Sequence, residues 1–377
     1  MNFFRKFRYL VIALFAFLVV GFYAMVTFNL SFMGPIQRAL KNFSMADIYT
    51  QILQSTGAPD TSRVITIVDM TDLMARSDLA QALEEIMAFE PKAVGVDIVF
   101  EGLKEDTASD RWLVDIAKTY DNIVWQAKLL DYQAEEQTYK DKVQSFFIEE
   151  AQPKEGFANM PRDLYEGLKR TVALGESLNG KTYTSFSLLV ANTYAGTEVA
   201  KTQLKDININ YRPTEFRTIH AFEVMEHPEL IQDHIVLFGA MKDEHDMHYT
   251  TLGKIPGVEV LAYAVQTLIN KNSIKELPTW LTWLISIFIV MITSWALTIY
   301  KNDQLRRRKS PFMRTFMTSL MVIGYIKFVW MAILTFIGFM LFNFFSISLN
   351  LGWAFSGIAF IATAEGFYKA IFEPEKG

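Results

Sequence analysis

Two long apolar runs bracket a stretch in which hydrophobic and polar positions change over much faster. The first, Tyr9–Leu30, reads YLVIALFAFLVVGFYAMVTFNL without a charge; the second begins at Trp280 and reads WLTWLISIFIVMITSWALTIY. About 20 apolar residues carry a helix across the hydrocarbon core, so spans are predicted at 9–30 and 279–300. The first run exceeds the ~7–15 residues of a signal-peptide core and no small-x-small cleavage site follows it, which predicts an uncleaved anchor. Hydrophobicity resumes after a basic loop, residues 301–327, and predicts a third span at 328–345 with Arg314 and Lys327 snorkelling to the interface. Were all of Phe312–Phe345 to span, Lys327 would lie within the membrane and be a functional candidate. A polar turn, Ser346–Asn350, leads to a fourth predicted span at 351–372, near whose end Glu365 and Lys369 form an i,i+4 pair. The tail 373–377 is too short for a catalytic domain.

Between the outer runs the period shortens. Ile36–Gln54 predicts a juxtamembrane helix, and Gly57-Ala58-Pro59-Asp60 breaks it. Arg63–Asp69 (RVITIVD) is β-branched and apolar almost throughout, the signature of a buried parallel strand. Asp78–Phe89 carries one apolar face (Leu79, Leu83, Ile86, Met87) behind Ser77 as N-cap, and Glu90-Pro91 ends it. Ala93–Phe100 is a second strand, Ser109–Tyr120 a helix, Asn122–Ala127 a third strand. Ile235–Ala240 and then Gly257–Asn270 repeat the strand and helix pattern, and the polar segment 131–150 reads as a surface excursion. The alternation predicts an α/β domain, a mostly parallel sheet covered by helices, over residues 31–278.

Charge adds an orientation. Arg5, Lys6 and Arg8 precede the first span, and Lys301, Arg306, Arg307, Arg308 and Lys309 follow the second. Such flanks mark the cytoplasmic side, so residues 1–8, 301–327 and 373–377 are expected inside and 31–278 outside. Lipid or acidic-partner binding by Arg306–Lys309 is the sharper alternative to a topology signal. A net charge of −5 over 377 residues gives no reason to expect nucleic acid. Cysteine is absent, so the outer domain must be stabilised by its core rather than by disulfides.

Several separated segments keep a recognisable order: VITIVD at Val64–Asp69, PKAVGVDIVF at Pro91–Phe100, HIVLFGA at His234–Ala240 and PGVEVLAYAVQTLI at Pro256–Ile269. Together they resemble the second type of CHASE domain, the extracellular sensory module of bacterial cyclases, diguanylate-cyclase-like proteins and histidine kinases. Glu155–Asn159 resembles that family's Gly-x-x-Asn segment, Lys169-Arg170 its basic position, Ile209–Arg212 its Asn-Tyr-Arg strand and Thr218–Val224 its short helix. The likeness covers roughly residues 60–275, and the family's usual one span before and three after are matched. Glu166-Gly167 stands where an Asp-Gly step is common, and 131–150 aligns with no family pattern. The resemblance implies a sensor in the bacterial inner membrane. It also implies a cytoplasmic output domain, which this chain does not offer.

Candidate chemistry is sparse. Asp69 and Asp97 end parallel strands, the edge at which α/β sheets bind ligands, and Asp246 is expected at that edge too. Three carboxylates there would bind a cation or a ligand's hydroxyls or amines; the plainer reading is that they cap helix starts and loop amides. The resemblance supports these positions without giving them a catalytic role. His245 and His248 in DEHDMH would share a helical face and suit zinc, although a solvated or pH-responsive loop explains them as well. No Gly-x-Ser-x-Gly, His-Glu-x-x-His or phosphate loop is present, and the Trp280 and Trp283 rings suit an aromatic belt. The expectation is therefore a non-enzymatic, multi-pass sensor without a cofactor. It would respond to a small ligand or to the state of the envelope, and signal through its helices to a separate membrane or cytoplasmic protein. The alternative is a structural or scaffold subunit of an envelope complex.

Overall fold

The computed structural model describes residues 6–28, 44–57, 59–159 and 167–373. The chain divides into two compact units, Met1–Tyr49 with Lys275–Gly377, and Thr50–Ile274. In chain order the first helices are α1 (Arg8–Phe28) and α2 (Met45–Thr56). The part of the expected juxtamembrane helix before Ser44 lies outside the described residues.

The middle unit is built on β1 (Asp60–Asp69), α3 (Arg76–Ala88), β2 (Ala93–Val96), α4 (Thr107–Thr119) and β3 (Ile123–Gln133). It continues through β4 (Thr138–Val143), α5 (Ile148–Ala151), β5 (Lys154–Phe157), β6 (Thr171–Ala173), β7 (Gly175–Leu178), β8 (Lys181–Thr184) and α6 (Phe186–Ala195). It closes with β9 (Asp206–Asn208), β10 (Thr214–His220), β11 (Ile235–Gly239), β12 (Met247–Thr250), β13 (Gly253–Pro256) and α7 (Gly257–Ile269). Among the described residues nine strands form one sheet, β10-β1-β11-β2-β3-β4-β7-β8, with β5 also paired to β3. The block β10-β1-β11-β2-β3 is parallel throughout; the β3–β4 and β7–β8 pairs are antiparallel.

Side-chain alternation along the strands sends two cores to opposite faces. Val68, Val94, Val96, Trp125 and Phe238 pack under α3 and α4 through Leu83, Ile86, Leu113 and Ile116. Ile65, Ile67, Val124, Ile235 and Leu237 pack under α6 and α7 through Phe186, Val190, Leu261 and Val265. The second face needs close approach. A Cβ on Gly95 would lie 2.8 Å from Phe186 Cζ, and one on Gly156 2.8 Å from the Phe186 backbone.

Local chemistry moved several boundaries. Helix α3 starts at Arg76 behind Ala75, without a side-chain cap, so Ser77 is not its N-cap. Its end is as expected: Glu90 before Pro91 takes a left-handed φ of 51°. The Asp106 carboxylate accepts from the amides of Ala108 and Ser109 and starts α4 two residues before Ser109. Strand β2 stops at Val96. The largest departure is 131–150, which is no surface excursion. Strand β3 runs on to Gln133 and turns into β4, and the chain then drives Phe147 into the core, 4.7 Å from the Trp125 ring. Charged residues mask this in the sequence: Lys140 and Lys142 of β4 stand between the buried Thr138 and Tyr139 and the buried Ser145 and Phe147.

In the other unit, β14 (Lys275–Glu276) leads to α8 (Thr279–Arg307), α9 (Pro311–Met317), α10 (Leu320–Phe345), β15 (Ile347–Ser348) and α11 (Gly352–Phe372). Among the described residues three segments are long and apolar enough to cross a membrane: Arg8–Met25, Thr279–Arg307 and Pro311–Phe345. Helix α11, with 21 residues, is not one of the three. It packs against both α1 and α8; at Gly357 a Cβ would lie 2.6 Å from Val290 and 3.2 Å from Phe17. Helix α10 begins at Leu320, capped by the Ser319 hydroxyl, so Lys327 lies two turns inside it and not at the head of a helix starting at 328. Trp283 stacks on Trp353 at 4.5 Å, whereas Trp280 is exposed.

Contacts fix how this bundle runs. Strands β14 and β15 pair, so the start of α8 and the end of α10 share one end. At the other end Glu365 of α11 draws in Arg8 of α1 (3.9 Å), Lys301 of α8 (3.3 Å) and Lys369 of its own helix (3.6 Å). Neighbouring helices therefore alternate in direction, and the basic flanks gather at the Glu365 end.

Candidate functional site

The parallel register sets the candidate carboxylates in one row. His220, Asp69 and Gly239 are lateral partners at the carboxyl ends of β10, β1 and β11. Asp97, one residue past β2, donates its amide to Phe238 O at 2.9 Å and continues the row. Lateral partners in a sheet share a face, and alternation puts this row on the face covered by α7.

Asp69 is a bracket. Its Oδ1 accepts from the Thr71 amide (3.0 Å), from the Thr71 hydroxyl and from the Met241 amide (3.1 Å). The Thr71 hydroxyl in turn receives the amides of Met241 and Lys242. The loops leaving β1 and β11 are thus tied together through one buried carboxylate. Burial pushes the Asp69 carboxyl up, but these hydrogen bonds, with the Lys242 charge, outweigh it and the net shift is below the ordinary value. Asp69 does what the plainer reading expected, holding loop amides.

Asp97 is the opposite case. Among the described residues no donor reaches its carboxylate. It is half-buried, and a Cβ on neighbouring Gly239 would sit 3.3 Å from Asp97 Cβ and 2.7 Å from Val258 Cγ2. The first turn of α7 is therefore pressed onto the end of β11 because Gly239 has no side chain. Asp246 lies on the other flank of that turn: a Cβ on Gly257 would be 2.1 Å from its Oδ2. Burial, and then the charge of Asp246, raise the Asp97 carboxyl from 3.8 to about 7. Two carboxylates in mutual repulsion therefore flank the amino end of a helix, whose unpaired amides favour negative charge. One of the two holds its proton near neutral pH.

The three expected carboxylates thus divide into the Asp97–Asp246 pair and the separately engaged Asp69. The histidines do not share a helical face. His245 sits in a three-residue 3-10 turn, Glu244–Asp246, its amide donating to Asp243 Oδ1; His248 is on β12, with Nε2 3.3 Å from Asp246 Oδ1. Among the described residues no group of three or more His, Asp or Glu side chains is placed to hold a metal ion.

Sequence reasoning missed Thr71, Gly239 and Gly257, which position the carboxylates. The Asp-x-Thr spacing of an Asx turn was the available signal for Thr71. It also missed a partly buried cluster in which Lys142 and Tyr183 both donate to Glu155 Oε2, while Glu155 Oε1 is buried without a partner among the described residues. The Glu155–Asn159 segment has a structural explanation. Gly156 admits the Phe186 backbone, and the Asn159 amide group both accepts from and donates to the Leu129 backbone at 2.7 and 2.9 Å.

Comparison with known families matches residues 15–300 to the CHASE2 domain. No curated protein and no solved structure matches the chain. The matched range takes in most of α1, the whole α/β unit and α8 as far as Tyr300.

Proposed function

Because this chain belongs to the CHASE2 domain family, a family of sensory extracellular domains, we propose that it is a multi-pass sensor of the bacterial inner membrane. In this reading α1, α8, α10 and α11 are four spans, the Glu365 end is cytoplasmic and the α/β unit lies outside. The basic residues gathered at one end of the helices support that orientation. The protein has no enzymatic activity of its own and signals through its helices to a separate membrane or cytoplasmic protein.

The observation that carries the sensing reading is the Asp97–Asp246 pair. It lies at the edge where α/β sheets take ligands, one carboxylate without a donor and raised to about 7. Such a pair suits a proton, a small cation or a ligand amine. His248 lies beside Asp246, but among the described residues no three acidic or imidazole side chains converge to hold a metal ion, so an ammonium group fits better than a caged metal.

The test uses the full chain in lipid nanodiscs. Thermal unfolding is followed with a panel of small amines and simple cations between pH 6 and pH 8. A rise in midpoint with one ligand class is expected. It should vanish in Asp97→Asn and Asp246→Asn and persist in Asp69→Asn. No response to any member of the panel would favour the scaffold reading. That second reading draws support from Met74, Leu103, Phe222 and Met225, large apolar side chains exposed on the loops that leave the same edge.

A further inference from the structure

Helix α10 carries a charge that forms no ion pair among the described residues. Among the described residues no carboxylate pairs with Lys327; its Nζ reaches only the Ala359 carbonyl, at 3.4 Å. The acid nearest in role, Glu365, is already shared by Arg8, Lys301 and Lys369.

Lys327 stands in the wall of a cavity of about 310 Å³ between α8 and α10, whose other walls include Ile292, Ala296, Leu297 and Ile326. Three more lining residues have polar groups, and each is committed elsewhere. Tyr300 donates to Met317 O at 3.3 Å, Trp330 Nε1 to Thr293 Oγ1 at 3.0 Å, and Thr293 Oγ1 to Ile289 O at 2.7 Å. The cavity therefore offers alkyl and aromatic surface plus one ammonium held only by the Ala359 carbonyl among the described residues. Its volume is at the lower end of ordinary ligand pockets. The stretch from the last turns of α8 to the second turn of α10 is strongly basic: residues 301–327 hold seven Lys or Arg and one acid, Asp303, which pairs with Arg307 at 2.6 Å.

We propose that this cavity is a binding site for an anionic phospholipid of the surrounding membrane, with an acyl chain between α8 and α10 and the phosphate on Lys327. An unpaired ammonium within a spanning segment is costly and is relieved by an anion. Basic pockets between spanning helices take anionic head groups for this reason. The apolar walls select the tail, and Lys327 selects the head.

The experiment is native mass spectrometry of the full chain in mild detergent, titrated with phosphatidylglycerol or phosphatidylcholine of identical acyl chains. One phosphatidylglycerol should be retained about tenfold more readily than phosphatidylcholine. Lys327→Gln should abolish the preference, Ala296→Trp should abolish retention of both lipids by filling the cavity, and Arg308→Gln, outside it, should change neither. Equal retention of the two lipids, or retention indifferent to Lys327→Gln, overturns the proposal. Displacement by glycerol phosphate alone overturns the role of the acyl chain. As a check independent of substitution at Ala296, brominated phosphatidylglycerol should quench tryptophan fluorescence more than brominated phosphatidylcholine. The excess should be lost in Trp330→Phe; quenching equal for the two lipids again refutes the site.

Discussion

The Tyr49 hydroxyl occupies the space that a side chain on Gly338 would need: a Cβ there would lie 2.1 Å from the phenolic oxygen. Tyr49 is fully buried, 5.4 Å from the Phe342 ring, and its hydroxyl is 3.5 Å from Leu349 O, the outer limit of a hydrogen bond. A glycine inside a helix costs about 1 kcal/mol relative to alanine, so its use in α10 reflects packing. Gly338→Ala should lower the thermal midpoint of the full chain in detergent despite its better helix propensity, with a loss of roughly 1–3 kcal/mol. Tyr49→Phe alone should cost about 1 kcal/mol or less. The double variant should recover part of the Gly338→Ala loss, because only the 3.1 Å approach to the ring carbon remains. A Gly338→Ala protein as stable as the parent would contradict this packing.

Asp97 makes stability depend on pH in a set direction. Its carboxyl titrates at about 7 in the folded protein against 3.8 ordinarily, so between those values the folded state binds a proton that the unfolded state has released. The contribution of Asp97 is therefore most favourable below about 4 and is lost as pH rises through 7. Asp97→Asn should flatten the fall in midpoint between pH 5 and pH 8 and stabilise the protein at pH 8, by on the order of a few kcal/mol. Gly257→Ala, by pushing the Asp246 carboxylate aside, should move the titration of Asp97 downward without normalising it, since burial is the larger cause. Carboxyl NMR of Asp97 reads both.

Asp69 should behave in the opposite sense. Its carboxyl lies below the ordinary value, so its contribution is present at neutral pH and disappears only as pH falls through that lowered value. Asp69→Ala removes an acceptor from three donors and should cost about 2–3 kcal/mol at pH 7. Asp69→Asn keeps an acceptor oxygen and should cost less. Chemical denaturation of the two variants side by side distinguishes a structural bracket from a ligand group, for which the ligand response and not stability would suffer.

Two glycines under α6 should rank by what they touch. On Gly156 a Cβ meets the Phe186 backbone, which cannot rotate away; on Gly95 it meets the ends of the Phe186, Leu237 and Val190 side chains at 2.8–3.0 Å. Gly156→Ala should be the more damaging of the two. Hydrogen exchange should show the loss concentrated in β3, β5 and α6.

The elements were legible where a single periodicity ruled. Val64–Asp69 and Ile235–Gly239 read as buried strands because both faces of each are covered, and Gly257–Ile269 read as a helix by its apolar stripe. The segment after Gln126 was not legible, because β4 sets Lys140 and Lys142 next to the buried Thr138 and Tyr139, and the charges hide the strand pattern.

By itself the sequence determined the layout: apolar runs about a membrane thick on either side of an α/β unit, with basic flanks. Hydrophobic period and charge are local properties of the chain, and they survive without any knowledge of neighbours. Only the tertiary structure decided that Asp97 meets Asp246 while Asp69 is engaged elsewhere, and that Lys327 opens on an apolar cavity. Those outcomes depend on strand register, on where helix α7 lands over Gly239, and on which carboxylate Arg8 and Lys301 claim. Residues far apart in the chain settle each of them through packing.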